Sequence, residues 1–391
     1  MGFGELNKLD IIGKTKTKRS GNLKLVLTGI TGLVGAAFVT ETIRNRKDVE
    51  ITAICRSGRG ESAEDRVKKV IREQSEFDGT PEIAEEVLRH VTVIDGNILD
   101  LPVDEIVAKG PYDELFHCAA DVNLGKDPNG TVFKTNMQGT VNMLDLARTL
   151  KVKALHYVGT AYVAGKCVGL VKEDELSATD FNNSYERSKC EAEKLVRACG
   201  IPYTVYRPGI IVGRLSDGRI RKPLAFYRIM EFLGVVKKHH CAKLGIPANS
   251  VLDCEVKLQS PLSDRIYFTP IDYVQKAISR LFSLPVQNKG YHLTGESPVS
   301  TVMIAEAMSS VLKMPNLGVT KVQQEENADE KLIRRMIADL MPYFETRITF
   351  DNTSIKAALG PEILNWKLDV DFLKRMAYSY YKQCSPELVQ E

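Results

Sequence analysis

Between Leu23 and Gly35 the chain runs from an apolar, alternating strand segment (Leu-Lys-Leu-Val-Leu-Thr) into Gly-Ile-Thr-Gly-Leu-Val-Gly and then into a helical stretch that lasts to about Arg46. Few local patterns restrict a fold more. The glycine at 29 permits a tight turn, the one at 32 lets a pyrophosphate approach the backbone, and the one at 35 lets the helix pack close to the strand. Phosphate in such a turn meets the free N–H groups and positive end of the helix. Gly29, Thr31, Gly32, Leu33, Val34 and Gly35 are therefore the first candidates for holding a nucleotide cofactor.

The rhythm continues downstream. Strand-like runs at 51–55, 91–94, 114–119, 154–158 and 203–207 alternate with helix-periodic segments at 61–89, 129–150 and 184–199. Alternation of this kind predicts right-handed βαβ units and an α/β, doubly wound parallel sheet. After Gly213 the pattern changes. Residues 214–264 hold an apolar helix at 223–236 and an irregular stretch. Strands at 265–269 and 291–294 flank a helix at 271–283, and the chain from 299 to about 382 reads as mostly helical. The expected organisation is a polar arm at 1–20, a nucleotide-binding domain built from 21–213 plus 265–294, and a smaller, mostly helical substrate-side domain from 214–264 plus 295–391.

Composition excludes several classes. The chain has 391 residues, 43% hydrophobic and 26% charged, which is the balance of a globular protein rather than a disordered one. With 53 Lys and Arg against 50 Asp and Glu, nothing demands a nucleic-acid partner. No apolar run approaches the roughly 20 residues that span a bilayer, and the first twenty residues carry no secretory signal. The eight cysteines form no C-x-x-C pair, so a reduced, cytoplasmic set of thiols is expected. The spacing of His239, His240, Cys241 and Cys254 does not give two ligand pairs, and no metal is assigned.

Two positions refine the chemistry. Strand two ends in Cys55-Arg56-Ser57, with no acidic residue across 51–60. An acidic residue there would hold the 2′-hydroxyl of NAD, whereas an arginine suits the 2′-phosphate of NADP, so NADP(H) is favoured over NAD(H). Tyr185 and Lys189 stand four apart at the start of a helix and project from one face. An ammonium one turn away, with an oxidised nicotinamide, favours the phenolate and brings the phenol towards proton exchange near neutral pH. Thr160, just past the fifth strand, can hydrogen-bond the same substrate oxygen.

Together Thr28–Gly35, His117-Cys-Ala-Ala120, Thr135-Asn136, Val158-Gly-Thr-Ala-Tyr162, Tyr185–Lys189 and Tyr206-Arg-Pro-Gly209 resemble an extended short-chain dehydrogenase/reductase. Phe116–Asn123 and Gly159–Gly165 are most similar to thioester reductase and fatty acyl reductase domains, the male-sterility type. The resemblance implies a Rossmann-type fold, Tyr185 as general acid, Lys189 on the nicotinamide ribose, and Thr160 orienting a carbonyl. It further implies that Ala119, Ala120 and Asn136 lie on the cofactor, with Pro208, Gly209 and Ile210 flanking the nicotinamide. Relatives often carry Gly-Asp after strand three; here Gly96-Asn97-Ile98 stands there, and Asn97 and Ile98 take the adenine contact with a different donor pattern.

The function expected is NADP(H)-dependent reduction of an acyl thioester, delivered by coenzyme A or a carrier protein, or of a related carbonyl. The alternatives are a hydroxy-lipid or steroid-type alcohol dehydrogenase and a sugar-nucleotide epimerase or dehydratase. The helix at 223–236 reads either as a lid over an acyl chain or as a buried helix. The run Lys237-Lys-His-His-Cys-Ala-Lys243 reads as a phosphate or carrier-protein patch or as a solvated helix end. The stripes on 129–150 and 184–199 face the sheet or a second copy of the chain in a homodimer.

Overall fold

A computed structural model describes residues 22–58, 60–260, 262–322 and 325–390; the polar arm at 1–20 lies outside them. The strands are β1 (Leu23–Thr28), β2 (Val49–Cys55), β3 (Val91–Asp95), β4 (Glu114–His117), β5 (Ala154–Val158), β6 (Val168–Val171), β7 (Tyr203–Pro208), β8 (Ile210–Val212), β9 (Val256–Gln259), β10 (Phe268–Pro270), β11 (Lys289–Leu293), β12 (Leu317–Thr320) and β13 (Arg347–Phe350). The helices are α1 (Leu33–Asn45), α2 (Ala63–Phe77), α3 (Ala84–Arg89), α4 (Val103–Ala108), α5 (Thr131–Thr149), α6 (Ser184–Ala198), α7 (Tyr227–Leu244), α8 (Ile271–Phe282), α9 (Thr301–Leu312), α10 (Ala328–Met336), α11 (Met341–Phe344), α12 (Thr353–Leu359) and α13 (Val370–Cys384).

Seven strands form one parallel sheet in the order β11-β7-β5-β4-β1-β2-β3. Its order reverses between β1 and β4, and the crevice beyond the carboxyl ends of those strands is where such sheets take ligands. β1 explains the layering. Leu25, Val26 and Leu27 are fully buried; because successive side chains alternate, Leu25 and Leu27 enter one apolar cluster and Val26 the other. Phe38 of α1 fills the first face and stacks on Phe116 of β4 at 4.0 Å, while Met143 of α5 and Val196 of α6 fill the second.

The first of these clusters runs without a break from Leu23 to Leu388. The segment beyond Gly213 therefore shares its core with the sheet. Three small parallel pairs, β8–β10, β9–β12 and β6–β13, stitch the later chain to the earlier.

Several sequence expectations are corrected. The helix-periodic segment at 61–89 divides into α2 and α3 at Gly79 (φ +75), with Pro81, a helix-start residue, opening a single 3-10 turn before α3. The strand expected at 265–269 is confined to Phe268–Pro270. The region after 299 contains β12 and β13 as well as helices, and β6, β9 and α4 were not anticipated. These strands are four residues long, too short for a period to emerge. The apolar run at 223–236 becomes most of α7, whose Met230, Leu233 and Val236 are buried and whose Met230 carbonyl accepts from the Tyr381 hydroxyl at 2.7 Å. It is a core helix, not a free lid.

Beneath β11, the buried Glu173 carboxylate accepts from the backbone N–H groups of His292 (2.9 Å) and Ser354. Burial lifts its pKa to about 7. The folded state thus holds the proton more tightly than the unfolded chain, so this group's contribution to stability is full below pH 4.5 and declines as pH rises towards 7. Thermal unfolding followed at pH 5 and pH 7.5 should show a loss of up to about 3 kcal/mol from this group, and Glu173→Gln should flatten that slope.

Candidate active site

The glycine turn occupies one end of a cleft of about 1000 Å³. Gly29 has φ +84, and a Cβ there would lie 2.6 Å from the Ala119 nitrogen. Gly32 caps α1 with no side-chain partner, which leaves the first N–H groups of α1 open to a ligand. A Cβ at Gly35 would lie 2.1 Å from the Gly29 carbonyl oxygen, so this glycine sits behind the turn and sets how closely helix meets strand. Gly29, Thr31, Gly32, Leu33 and Val34 line the cleft itself. Arg221, which sequence reasoning did not single out, closes the turn from the later chain: its Nη2 donates to the Gly32 carbonyl at 2.8 Å and its Nε to Gln74 Oε1 at 2.8 Å.

Along the floor, Arg56 at the end of β2 is joined by Arg66 of α2, whose guanidinium donates to the Arg56 carbonyl; both line the cleft. Arg66 was also missed, being hidden in a helix of many charges. The Asp95 carboxylate accepts from Ser57 N at 2.8 Å and from the Ser57 hydroxyl, and these bonds hold its pKa below the ordinary value. Asn97 uses Oδ1 to accept from Leu99 N at 3.1 Å and lines the cleft with Ile98, Ala119 and Ala120.

The far end gathers Thr160, Tyr185 and Lys189. Thr160 lies two residues past β5 and caps the next turn by accepting from Tyr162 N at 3.2 Å. Asn183 caps α6 by accepting from Glu186 N at 2.9 Å, which presents Tyr185 and Lys189 one turn apart on the face towards β5. The Thr160 hydroxyl also donates to the Pro208 carbonyl at 3.4 Å. Burial raises the Tyr185 pKa above that of free tyrosine, with Glu186 adding to the rise and Thr160 opposing it. The expected acidification of this phenol is thus not present in the protein alone. Lys189 is drawn the other way: burial lowers its pKa to about 8, its Nζ donates to the Val158 carbonyl at 2.7 Å, and it lies 4.2 Å from the Tyr157 ring centre. Pro208, Gly209 and Ile210 form the adjoining wall.

Residues 27–278 match the family model described as male sterility protein. The chain belongs to that family. It is an NAD(P)-binding domain of the extended short-chain dehydrogenase/reductase type. It is 23% identical over 318 residues to the non-canonical nonribosomal peptide synthetase FrzA of Cladobotryum sp, across 78% of this chain and 29% of that protein. It is 27% identical over 292 residues to a carboxylic acid reductase of Mycobacterium marinum, across 66% of this chain and 23% of that one. The chain thus spans under a third of the length of these relatives. Among solved structures, the terminal R domain of the myxalamid PKS-NRPS biosynthetic pathway superposes with a TM-score of 0.71 at 22% identity, covering 93% of this chain and 92% of that one.

On this male sterility domain the structure places one expected cofactor residue off the cleft lining and narrows one open reading. Asn136, expected on the cofactor, is buried behind the cleft: its Oδ1 accepts from Asp121 N at 2.8 Å, and its Nδ2 donates to the Asp121 carbonyl at 3.0 Å and the Ser188 hydroxyl at 2.9 Å. It ties the loop after β4 to α6. The basic run at 237–243 is not an open anion patch. Lys237 is buried and donates to the Leu312 carbonyl, His240 meets Asp329 at 2.6 Å, and Lys238 meets Glu387 at 3.1 Å.

Proposed function

We propose that this domain reduces an acyl thioester, presented by a carrier protein or coenzyme A, using NADPH. The observation that carries the reading is the convergence of Thr160, Tyr185 and Lys189 at one end of a single cleft whose other end is an uncapped glycine turn. The residues fit a dinucleotide. The open helix terminus at Gly32 suits a diphosphate, and the pair Arg56 and Arg66 suits a 2′-phosphate. When bound, NADPH supplies hydride to the carbonyl carbon.

The chain's own groups do the rest. The Thr160 and Tyr185 hydroxyls form a two-donor cradle for the carbonyl oxygen as negative charge gathers there. The proton on Tyr185 Oη passes to that oxygen, and the raised pKa keeps this acid loaded at neutral pH. The Lys189 ammonium then offsets the phenolate left behind. Scission of the C–S bond, with the hydroxyl proton passing to the departing sulfur, releases the thiol and leaves an aldehyde. The segments 214–264 and 295–391 form the substrate side.

The test is NADPH oxidation followed with acyl-coenzyme A, acyl-carrier-protein and ketone substrates. Turnover of thioesters with aldehyde release supports the reading; turnover of ketones alone would overturn it. Arg56→Ala should weaken NADPH by about 10- to 100-fold, the loss of one charge-assisted contact, and NADH by little. Equal losses measured by fluorescence titration would remove the 2′-phosphate assignment. Because Lys189 loses its charge above about pH 8, kcat should fall as pH rises through that value.

A further inference from the structure

The open end of α1 is electrostatically unbalanced. Helix N-termini are stabilised by acidic side chains and capping oxygens, yet α1 has no acidic residue in its first turn and no side-chain cap at Gly32. A cation stands there instead. Arg221, whose side chain is 9% exposed, donates through Nη2 to the Gly32 carbonyl at 2.8 Å, an oxygen that also accepts from Ala36 N at 3.3 Å.

This guanidinium is firmly oriented and weakly neutralised. Its Nε donates to Gln74 Oε1 at 2.8 Å, and the Gln74 amide is turned that way because its Nε2 donates to Asp78 Oδ1 at 3.0 Å. The Glu73 carboxylate stands 3.9 Å from Nη1, but it is 46% exposed and screened by water. Burial pulls the Arg221 pKa down from its ordinary value, and a guanidinium remains charged at neutral pH even so.

The peptide unit carries the effect into the cleft. Because it is planar and trans, the Gly32 carbonyl and the Leu33 N–H point in opposite directions. Fixing the oxygen from behind therefore fixes the N–H on the other side, where Gly32, Leu33 and Val34 line the cleft and Arg221 does not. The Gly32 N–H is already spent on the Gly29 carbonyl at 2.9 Å. A cation bonded to the carbonyl also polarises the same peptide, which makes its N–H a stronger donor.

We infer that Arg221 is a positioning residue for the cofactor diphosphate: it orients and polarises the Gly32–Leu33 peptide and supplies a buried positive charge that the diphosphate offsets. The inference rests on the dinucleotide reading of the cleft and is independent of the 2′-phosphate and of the thioester.

The experiment is calorimetric titration of NADP, NAD and adenosine 2′-monophosphate, which lacks the diphosphate, into the wild-type protein and two variants. Arg221→Gln should weaken NADP and NAD by one common factor of about tenfold while adenosine 2′-monophosphate is unaffected. An equal loss for both dinucleotides is the opposite of the pattern expected for Arg56→Ala. Glu73→Gln, at an exposed side chain that leaves the fold intact, removes the opposing carboxylate. It should tighten both dinucleotides by about twofold at low salt, a gain that fades at high salt. Loss of adenosine 2′-monophosphate by the same factor in Arg221→Gln would reduce Arg221 to a structural role and overturn the inference. Unchanged dinucleotide affinity in that variant, or weaker binding in Glu73→Gln, would overturn it as well. An Arg56→Ala variant that loses NADP and NAD equally would sink the 2′-phosphate assignment and leave this inference standing.

Discussion

Tyr185→Phe is expected to lower kcat by about 100- to 10,000-fold, the range associated with loss of a positioned proton donor, while leaving NADPH binding within a fewfold of the parent. The ring stays where α6 puts it, and only the hydroxyl is removed. Thr160→Ala should cost less, because Tyr185 remains as donor, and Thr160→Ser should restore most of that loss. Single-turnover oxidation of NADPH beside fluorescence titration of the same cofactor separates the two quantities. A Phe variant that turns over at more than a tenth of the parent rate would remove Tyr185 as the acid.

Gly35→Ala is expected to damage both the fold and the cofactor site. Its Cβ would sit 2.1 Å from the Gly29 carbonyl oxygen and 3.1 Å from Ile30 Cα, both backbone atoms that cannot swing aside. α1 would have to lift from β1, where Phe38 and Val39 are fully buried. Overpacking of a rigid site costs about 1 to 3 kcal/mol or more, and the displaced helix terminus should lose NADPH as well. Thermal melts with and without cofactor check both halves: a lower melting temperature and no cofactor-induced rise. Gly58→Ala is the control, since a Cβ there meets nothing within 4 Å.

What the sequence made legible was what has a period or a fixed spacing. β1, β2, β5 and β7 are apolar runs bounded by turns, and Tyr185 and Lys189 are one helical turn apart, so the succession of strands and the shared helix face could be read from spacing. The rest depends on contacts between distant segments. Arg66 and Arg221 are two among 53 cationic side chains, and only the fold brings them to the cleft and the turn. Asn136 illustrates the converse. Its amide is spent on Asp121 and Ser188, an exchange no linear spacing records. The basic run at 237–243 left two readings open for the same reason, since charge in a sequence does not disclose the Leu312 carbonyl that accepts from Lys237.

The grip of Arg221 on the Gly32 carbonyl bears on the order in which the molecule becomes competent. The turn it holds is encoded near the start of the chain, and the hand that holds it almost two hundred residues later. A nascent polypeptide that has emerged only through β7 has already made the loop yet lacks its brace. Coenzyme held by this turn should therefore gain its brace only once synthesis has passed Arg221, shortly beyond β7.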